Sequence, residues 1–305
     1  MLTGIHFLLT YTCLYECDHC FVHGSPNARG TFTLEQVRMI FDEIRKIGSV
    51  EEVYFEGGEP FLHYPLLIES IRLARAQGLR VGIVTNGYWA NCVEDAKLWL
   101  EPLRALGVSD LSISDDAFHQ STEEDTPPKR AHRAARELGI PSDTISIAEP
   151  APACNAGGMG KGKPVVGGPV RFRGRAAEKL TGGLPTLPRS EFTECRHEEL
   201  EDPERVHVDA FGNVHICQGL LMGNLWRTPL SEMVCNYRAD GHPICGPLLE
   251  GGPALLAATY AAPAAEGYVD ECHCCYSVRK SLLGQFPDHL GPRQVYGVAD
   301  GRGGN

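Results

Sequence analysis

Cys13, Cys17 and Cys20 stand together in the stretch "CLYECDHC", separated by three and then two residues. A Cys-x2-Cys pair alone fits zinc or redox chemistry. Structural zinc asks for four protein ligands, usually as two pairs, and no fourth cysteine is near in the sequence. Three soft thiolates on one loop suit iron–sulfur chemistry instead. A cubane held by only three keeps one iron open for an exchangeable ligand, and an open position marks a catalytic metal.

Elements that position these thiols are legible as two alternating periodicities. "IHFLL" reads as a strand ending just before Cys13. Thr33 opens a capping box with Gln36, and Leu34, Val37, Phe41, Ile44 and Ile47 recur at helical spacing up to Gly48. "EVYFE", "RVGIVTN", "DLSIS" and "DTISIA" read as further strands. Helices fall between them at about Tyr64–Gln77, Val93–Leu106 and "PKRAHRAARELG". Units of roughly 25–35 residues are those of a parallel βα series, which right-handed crossovers curl into a full or partial barrel with working loops at the strand C-termini. The three cysteines fall on that rim.

The rhythm lapses in "PAPACNAGGMGKGKPVVGGP", which reads as a loop. Its "GGMGKGKP" has Pro164 where a phosphate-binding loop needs Ser or Thr, so a lid or surface insertion is the expectation. "RVHVDAFGNVHIC" reads as a β-hairpin turning at Phe211-Gly212-Asn213. The expected division is a barrel over residues 1–185 and a smaller region over 186–305.

With its companions, the triad resembles the signature of radical S-adenosylmethionine (SAM) enzymes. "EGGEP" after the second strand matches the Gly-Gly-Glu-Pro motif, and Thr85-Asn86-Gly87 ends the third strand as often in that family. The resemblance, over about residues 5–180, implies an α/β fold, a partial (β/α)6 TIM-like barrel. It implies a [4Fe–4S] cluster on Cys13, Cys17 and Cys20, chelated by SAM. Gly57, Gly58, Glu59 and Pro60 would serve the SAM amine, with Thr85 and Asn86 beside them. Ser112 and Ser114 alternate on one strand face and, with Asp116, could address the ribose or carboxylate. "RFRGRA" resembles the family's Gly-Arg segment, so Arg173 or Arg175 could clamp the SAM carboxylate. His119, on the rim, is a candidate substrate-side acid or base; the bland alternative is a histidine that hydrogen-bonds its own loop.

Cys195, Cys217 and "CHCC" at 272–275 resemble the twitch extension, a shortened SPASM domain, which is a small α+β region. The resemblance implies a second, auxiliary [4Fe–4S] cluster on Cys195, Cys217, Cys272 and Cys275, with Cys274 as a competitor for the last position. All-thiolate zinc and unrelated buried thiols stay open as alternatives. Cys92, Cys154, Cys235 and Cys245 read as core or incidental.

The formal charge of −11 over 305 residues argues against broad nucleic-acid binding. No apolar run approaches the roughly 20 residues of a membrane span. The start lacks a basic n-region and a cleavage site, so a cytoplasmic location is expected. In that compartment twelve cysteines favour metal or catalysis over disulfides. The resemblance implies a radical SAM oxidoreductase. An external donor such as flavodoxin or ferredoxin would supply the electron. A 5′-deoxyadenosyl radical would then take hydrogen from a peptide or small-molecule substrate, for a net oxidation. The reading from another class is a zinc-binding interaction protein without SAM chemistry.

Overall fold

The computed structural model describes residues 1–119, 124–151 and 168–299. Most of the glycine-rich stretch, including Cys154 and "GGMGKGKP", lies outside the described residues. Five strands, β1 (Gly4–Thr10), β2 (Glu52–Gly57), β3 (Arg80–Thr85), β4 (Asp110–Ser114) and β5 (Ser142–Ile145), pair in parallel in that order. The helices between them are α1 (Leu34–Ile47), α2 (Tyr64–Ala76), α3 (Val93–Leu106) and α4 (Pro127–Leu138). Local chemistry sets these bounds. Thr33 and Gln36 exchange both bonds of a capping box, and Gly48 closes α1 in the left-handed region at φ 75°.

The strands divide their faces by chemistry. Ile5, Phe7, Leu9, Val53, Phe55, Val81, Ile83, Leu111 and Ile113 form one core with the helices. Phe7 lies 5.5 Å from Phe41 and 5.2 Å from Phe55, ring to ring. Truncating such a side chain costs about 3–5 kcal/mol. The opposite face carries His6, Tyr54, Glu56, Asp110, Ser112 and Ser114, and these line a cavity.

Two features differ from the periodicity reading. "DTISIA" is not one strand: β5 stops at Ile145, and β6 (Ile147–Ala148) pairs instead with β7 (Gly168–Pro169). The Asp116 carboxylate accepts from the Ile147 amide at 3.1 Å, which takes that amide out of the ladder. The hairpin forms, as β8 (Arg205–Asp209) and β9 (Asn213–Cys217), but β8 also pairs in parallel with β1. With β10 (Leu220–Asn224) the sheet runs β10-β9-β8-β1-β2-β3-β4-β5. Six of its strands are therefore parallel, the sixth supplied from the C-terminal part of the chain.

The remaining helices are α5 (Ala176–Lys179), α6 (Leu230–Asn236), α7 (Cys245–Thr259) and α8 (Glu271–Ser281). A second hydrophobic cluster joins α7 and α8 to Ile216, Leu220, Leu290 and Tyr296. Asp209 ties this part to the first. Fully buried, it accepts from Tyr11, two residues ahead of Cys13, at 2.9 Å and from the turn amides of Phe211 and Asn213. Among the described residues no helix is long and apolar enough to cross a membrane.

Candidate active site

The chain leaves β1 at Thr10 and runs directly into the cysteine loop. The end of β2 lies against that exit. Gly58 N donates to Thr10 O at 2.6 Å, and Glu59 N to Thr12 O at 2.9 Å. A Cβ on Gly57 would sit 2.3 Å from Thr10 O, and one on Gly58 2.1 Å from Thr12 O. The two glycines are thus required by a backbone crossing that fixes the approach to Cys13.

Glu59 is not on the cavity wall. Its carboxylate is fully buried and accepts from the Phe61 amide at 3.0 Å, the Thr85 hydroxyl at 2.8 Å and the Asn86 amide at 2.7 Å. Burial outweighs these donors and pushes its carboxyl up to about 7. Pro60 starts the short helical turn that Glu59 caps. Glu59 therefore locks the end of β3 to the end of β2, and Asn86 turns its amide toward Cys13 Sγ at 3.7 Å.

Arg175 holds the other side of the loop. Its guanidinium donates to Cys17 O at 2.7 Å and Gly24 O at 2.8 Å, so both arms grip backbone carbonyls. The preceding Gly174, at φ 60°, passes so close that a Cβ would lie 2.5 Å from Cys20 O. Asp116 accepts from His119 Nδ1 at 2.8 Å, and its side chain is occupied by its own loop and by the Ile147 amide. His119 remains on the cavity wall, 5.0 Å from the His19 ring. Ser112 and Ser114 both line the cavity; Ser112 donates to Asp110 at 3.0 Å.

The cavity, of about 360 Å³, gathers Cys13, Cys17 and Cys20 with Gly57, Gly58, Thr85, Asn86, both serines, His119 and Arg173. The thiols suit a metal group. Burial pushes Cys13 up to about 11 and Cys17 to about 12, each thiol opposed further by its neighbours' charge. Such thiols become thiolates when a cation binds them. N–H groups of Tyr15 and Gly24 already point at Cys13 and Cys20 Sγ, at 3.4 and 3.2 Å. Tetrahedral zinc with Zn–S of about 2.3 Å would draw thiolates to about 3.8 Å apart. Among the described residues, the triads with ligand atoms within 4.8 Å are His6/Glu56/His207 and His19/Asp116/His119, and the cysteines are not so close.

Cys195, Cys217, Cys272 and Cys275 also come within electrostatic reach of one another, although they arrive from a loop, β9 and α8. Cys272 and Cys275 are three apart on α8 and share a face. Cys274 is fully buried in the second hydrophobic cluster. Two buried arginines attend the set. Arg173 Nη1 lies 3.2 Å from Cys217 Sγ and 2.6 Å from Glu198, and Arg279 Nη2 lies 3.9 Å from Cys217 Sγ. Both leave Nε buried without a partner. Arg279 otherwise meets neutral partners: Gln218 O, the Tyr296 hydroxyl and the Cys275 thiol. A buried cation in that setting calls for an anion, and metal-bound thiolates would be one.

Sequence reasoning missed the inward-facing His6, Glu56 and His207. Burial raises Glu56 but the two histidines overcome it and hold the carboxyl well below its usual range. The available signal was a polar residue at alternate positions of otherwise apolar strands, "GIHFLLT" and "RVHVD".

Known proteins match in the same region. The Radical SAM superfamily matches residues 7–148. YydG of Bacillus subtilis (strain 168), named for peptide biosynthesis, is 28% identical over 35% of this chain and 34% of its own length. The S-adenosylmethionine-dependent nucleotide dehydratase of Selenomonas ruminantium is 34% identical over 27% of this chain and 29% of its own. The chain thus spans about a third of the length of these curated relatives. The solved structure of BtrN in complex with AdoMet and 2-DOIA aligns with a TM-score of 0.51 at 14% identity, covering 77% of this chain and 83% of that one. This likeness bears on the fold, and a mixed α/β sheet of this kind is a partial TIM-like barrel.

Proposed function

We propose, on the match of residues 7–148 to the Radical SAM superfamily, that this chain is a radical SAM oxidoreductase acting on a peptide or small molecule. The carrying observation is the single cavity onto which the three loop thiols, the Gly57–Gly58 turn, Thr85, Asn86 and both β4 serines open. Cys13, Cys17 and Cys20 would hold a [4Fe–4S] cluster, and Gly57, Gly58, Ser112 and Ser114 would line the SAM berth. When bound, cluster and SAM supply one-electron cleavage of the sulfonium, and with it a 5′-deoxyadenosyl radical able to take hydrogen from a C–H bond.

The chain's own part is positioning and exclusion. Arg175 fixes the cysteine loop by its carbonyls, and Glu59 fixes the ends of β2 and β3. Ser112 and Ser114 offer hydroxyls to a ribose, and Asp116 acts through His119, which it orients. Arg173 reaches both the cavity and Cys217, so it would feel the charge of an auxiliary cluster on Cys195, Cys217, Cys272 and Cys275. Such a cluster would accept an electron in a net oxidation. A peptide or a metabolite is supported by relatives named for peptide biosynthesis and nucleotide dehydration.

The test is anaerobic. Iron and sulfide are measured on the purified chain, then 5′-deoxyadenosine release on dithionite reduction with added peptide or metabolite pools. The expected result is iron at both sites and nucleoside release that Cys17→Ala abolishes. Near-zero iron with stoichiometric zinc would end the enzyme reading and favour the zinc-binding alternative.

A further inference from the structure

His6, Glu56 and His207 come from three adjacent strands, β1, β2 and β8, and turn inward to one point. His6 Nδ1 lies 3.3 Å from Glu56 Oε1, and His207 Nε2 lies 2.9 Å from the same oxygen. Their exposures are 4%, 8% and 5%. Ligands about 2.1 Å from one ion lie about 3.0 Å apart in octahedral and about 3.4 Å apart in tetrahedral geometry. The observed separations are of that size.

As placed, hydrogen bonds leave two buried polar atoms of the group unpaired. The Gln218 amide nitrogen lies 3.3 Å from His207 Nε2, the atom already facing Glu56. If that nitrogen donates to Glu56, the amide has no lone pair to give to. If it accepts from the amide, its lone pair faces a carboxylate oxygen. His207 Nδ1 and Gln218 Oε1 are both buried without a partner, on side chains more than nine-tenths buried. A cation between His207 Nε2 and Glu56 removes the conflict. A half-turn of the Gln218 amide, which swaps its oxygen and nitrogen, would then bring Oε1 in as a further donor. Asp110 and Asp143 on the same cavity wall add negative charge, whereas Arg205 is drawn to Glu198 at 3.3 Å.

We propose that His6, Glu56 and His207 bind one divalent transition-metal ion on the cavity wall, leaving a position open for an oxygen or nitrogen donor of the substrate. Two imidazoles and a carboxylate suit Zn(II), Fe(II) or Mn(II) and not the soft thiolate chemistry of the cysteines. The site stands whether or not the chain cleaves SAM, because its test needs neither SAM nor turnover.

The full chain, with its cysteines iron-loaded anaerobically and oxidised, is dialysed against Mn(II). Bound manganese is counted, and its spin-echo modulation is recorded. The expected result is one ion per chain with nitrogen couplings from two imidazoles, and at least tenfold weaker binding in Glu56→Gln and in His207→Ala. Tyr54→Phe, which alters the ring stacked on His6 at 4.7 Å but no ligand, should bind as the parent does. Binding no greater in the parent than in the variants overturns the proposal, as does bound manganese without nitrogen coupling. Where a variant fails to fold, the parent's couplings decide.

Discussion

Replacing Gly58 with alanine adds one methyl at the most crowded backbone crossing beside the cysteine loop. The new Cβ would lie 2.1 Å from Thr12 O, 2.5 Å from Thr12 C and 2.6 Å from Tyr11 O. All three are main-chain atoms, so no rotamer change relieves the clash. The strands must separate, and two hydrogen bonds lengthen, Gly58 N to Thr10 O and Glu59 N to Thr12 O. Overpacking costs about 1–3 kcal/mol and each weakened bond about 0.5–1.5 kcal/mol. The sum is roughly 2–6 kcal/mol. Gly48→Ala is the comparison: Gly48 has a positive φ, 75°, which Gly58 lacks, and nothing lies within 4 Å of its Cβ. Left-handed strain alone costs it about 1–2 kcal/mol. Urea denaturation of both variants under nitrogen gives the difference, and iron per chain shows whether the displaced exit still presents Cys13. If Gly58→Ala matched Gly48→Ala in stability and took up full iron, the claim that the crossing positions the cysteine loop would be wrong.

Glu59 gives a pH signature. Its folded pKa is raised from 4.5 to about 7, so the folded chain binds the extra proton. That stability is fully present below pH 4.5 and lost as pH rises through about 7, by about 3 kcal/mol at the full shift. The stability difference between Glu59→Gln and the parent, measured from pH 5 to 8, should change by that order; a flat difference would show that the carboxyl is already ionised at pH 5. Arg175→Lys loses the two-armed grip on Cys17 O and Gly24 O, since one ammonium cannot copy the fork. Iron should leave the first site to a chelator severalfold faster, and unchanged kinetics would remove Arg175 from the positioning role. Cys275→Ser should cost about four iron per chain, whereas Cys274→Ser, in the second hydrophobic cluster, should keep them and lose only stability. The reverse pattern in iron analysis would reassign the last ligand of the auxiliary set.

The sequence by itself determined what is encoded locally. The alternation of strands and helices to Ile145 follows from side-chain period, from Thr33 and Gln36 capping α1, and from glycines closing helices. The cysteine spacing pointed to a metal group held by three thiols of one loop, and the family resemblance narrowed it to an iron–sulfur cluster. The i, i+3 relation of Cys272 and Cys275 was legible too. Tertiary structure alone decided the rest. Nothing in "RVHVD" says that it pairs with β1, because a strand's hydrogen-bonding edge carries no address and its partner is settled by total burial. That pairing brings His207 to His6 and Glu56. Glu59 and Arg175 looked like ligand contacts because their residue types suit ligands. The fold spends both on the protein's own backbone: buried N–H and C=O groups must be satisfied, and a carboxylate or a guanidinium at a loop crossing satisfies several at once.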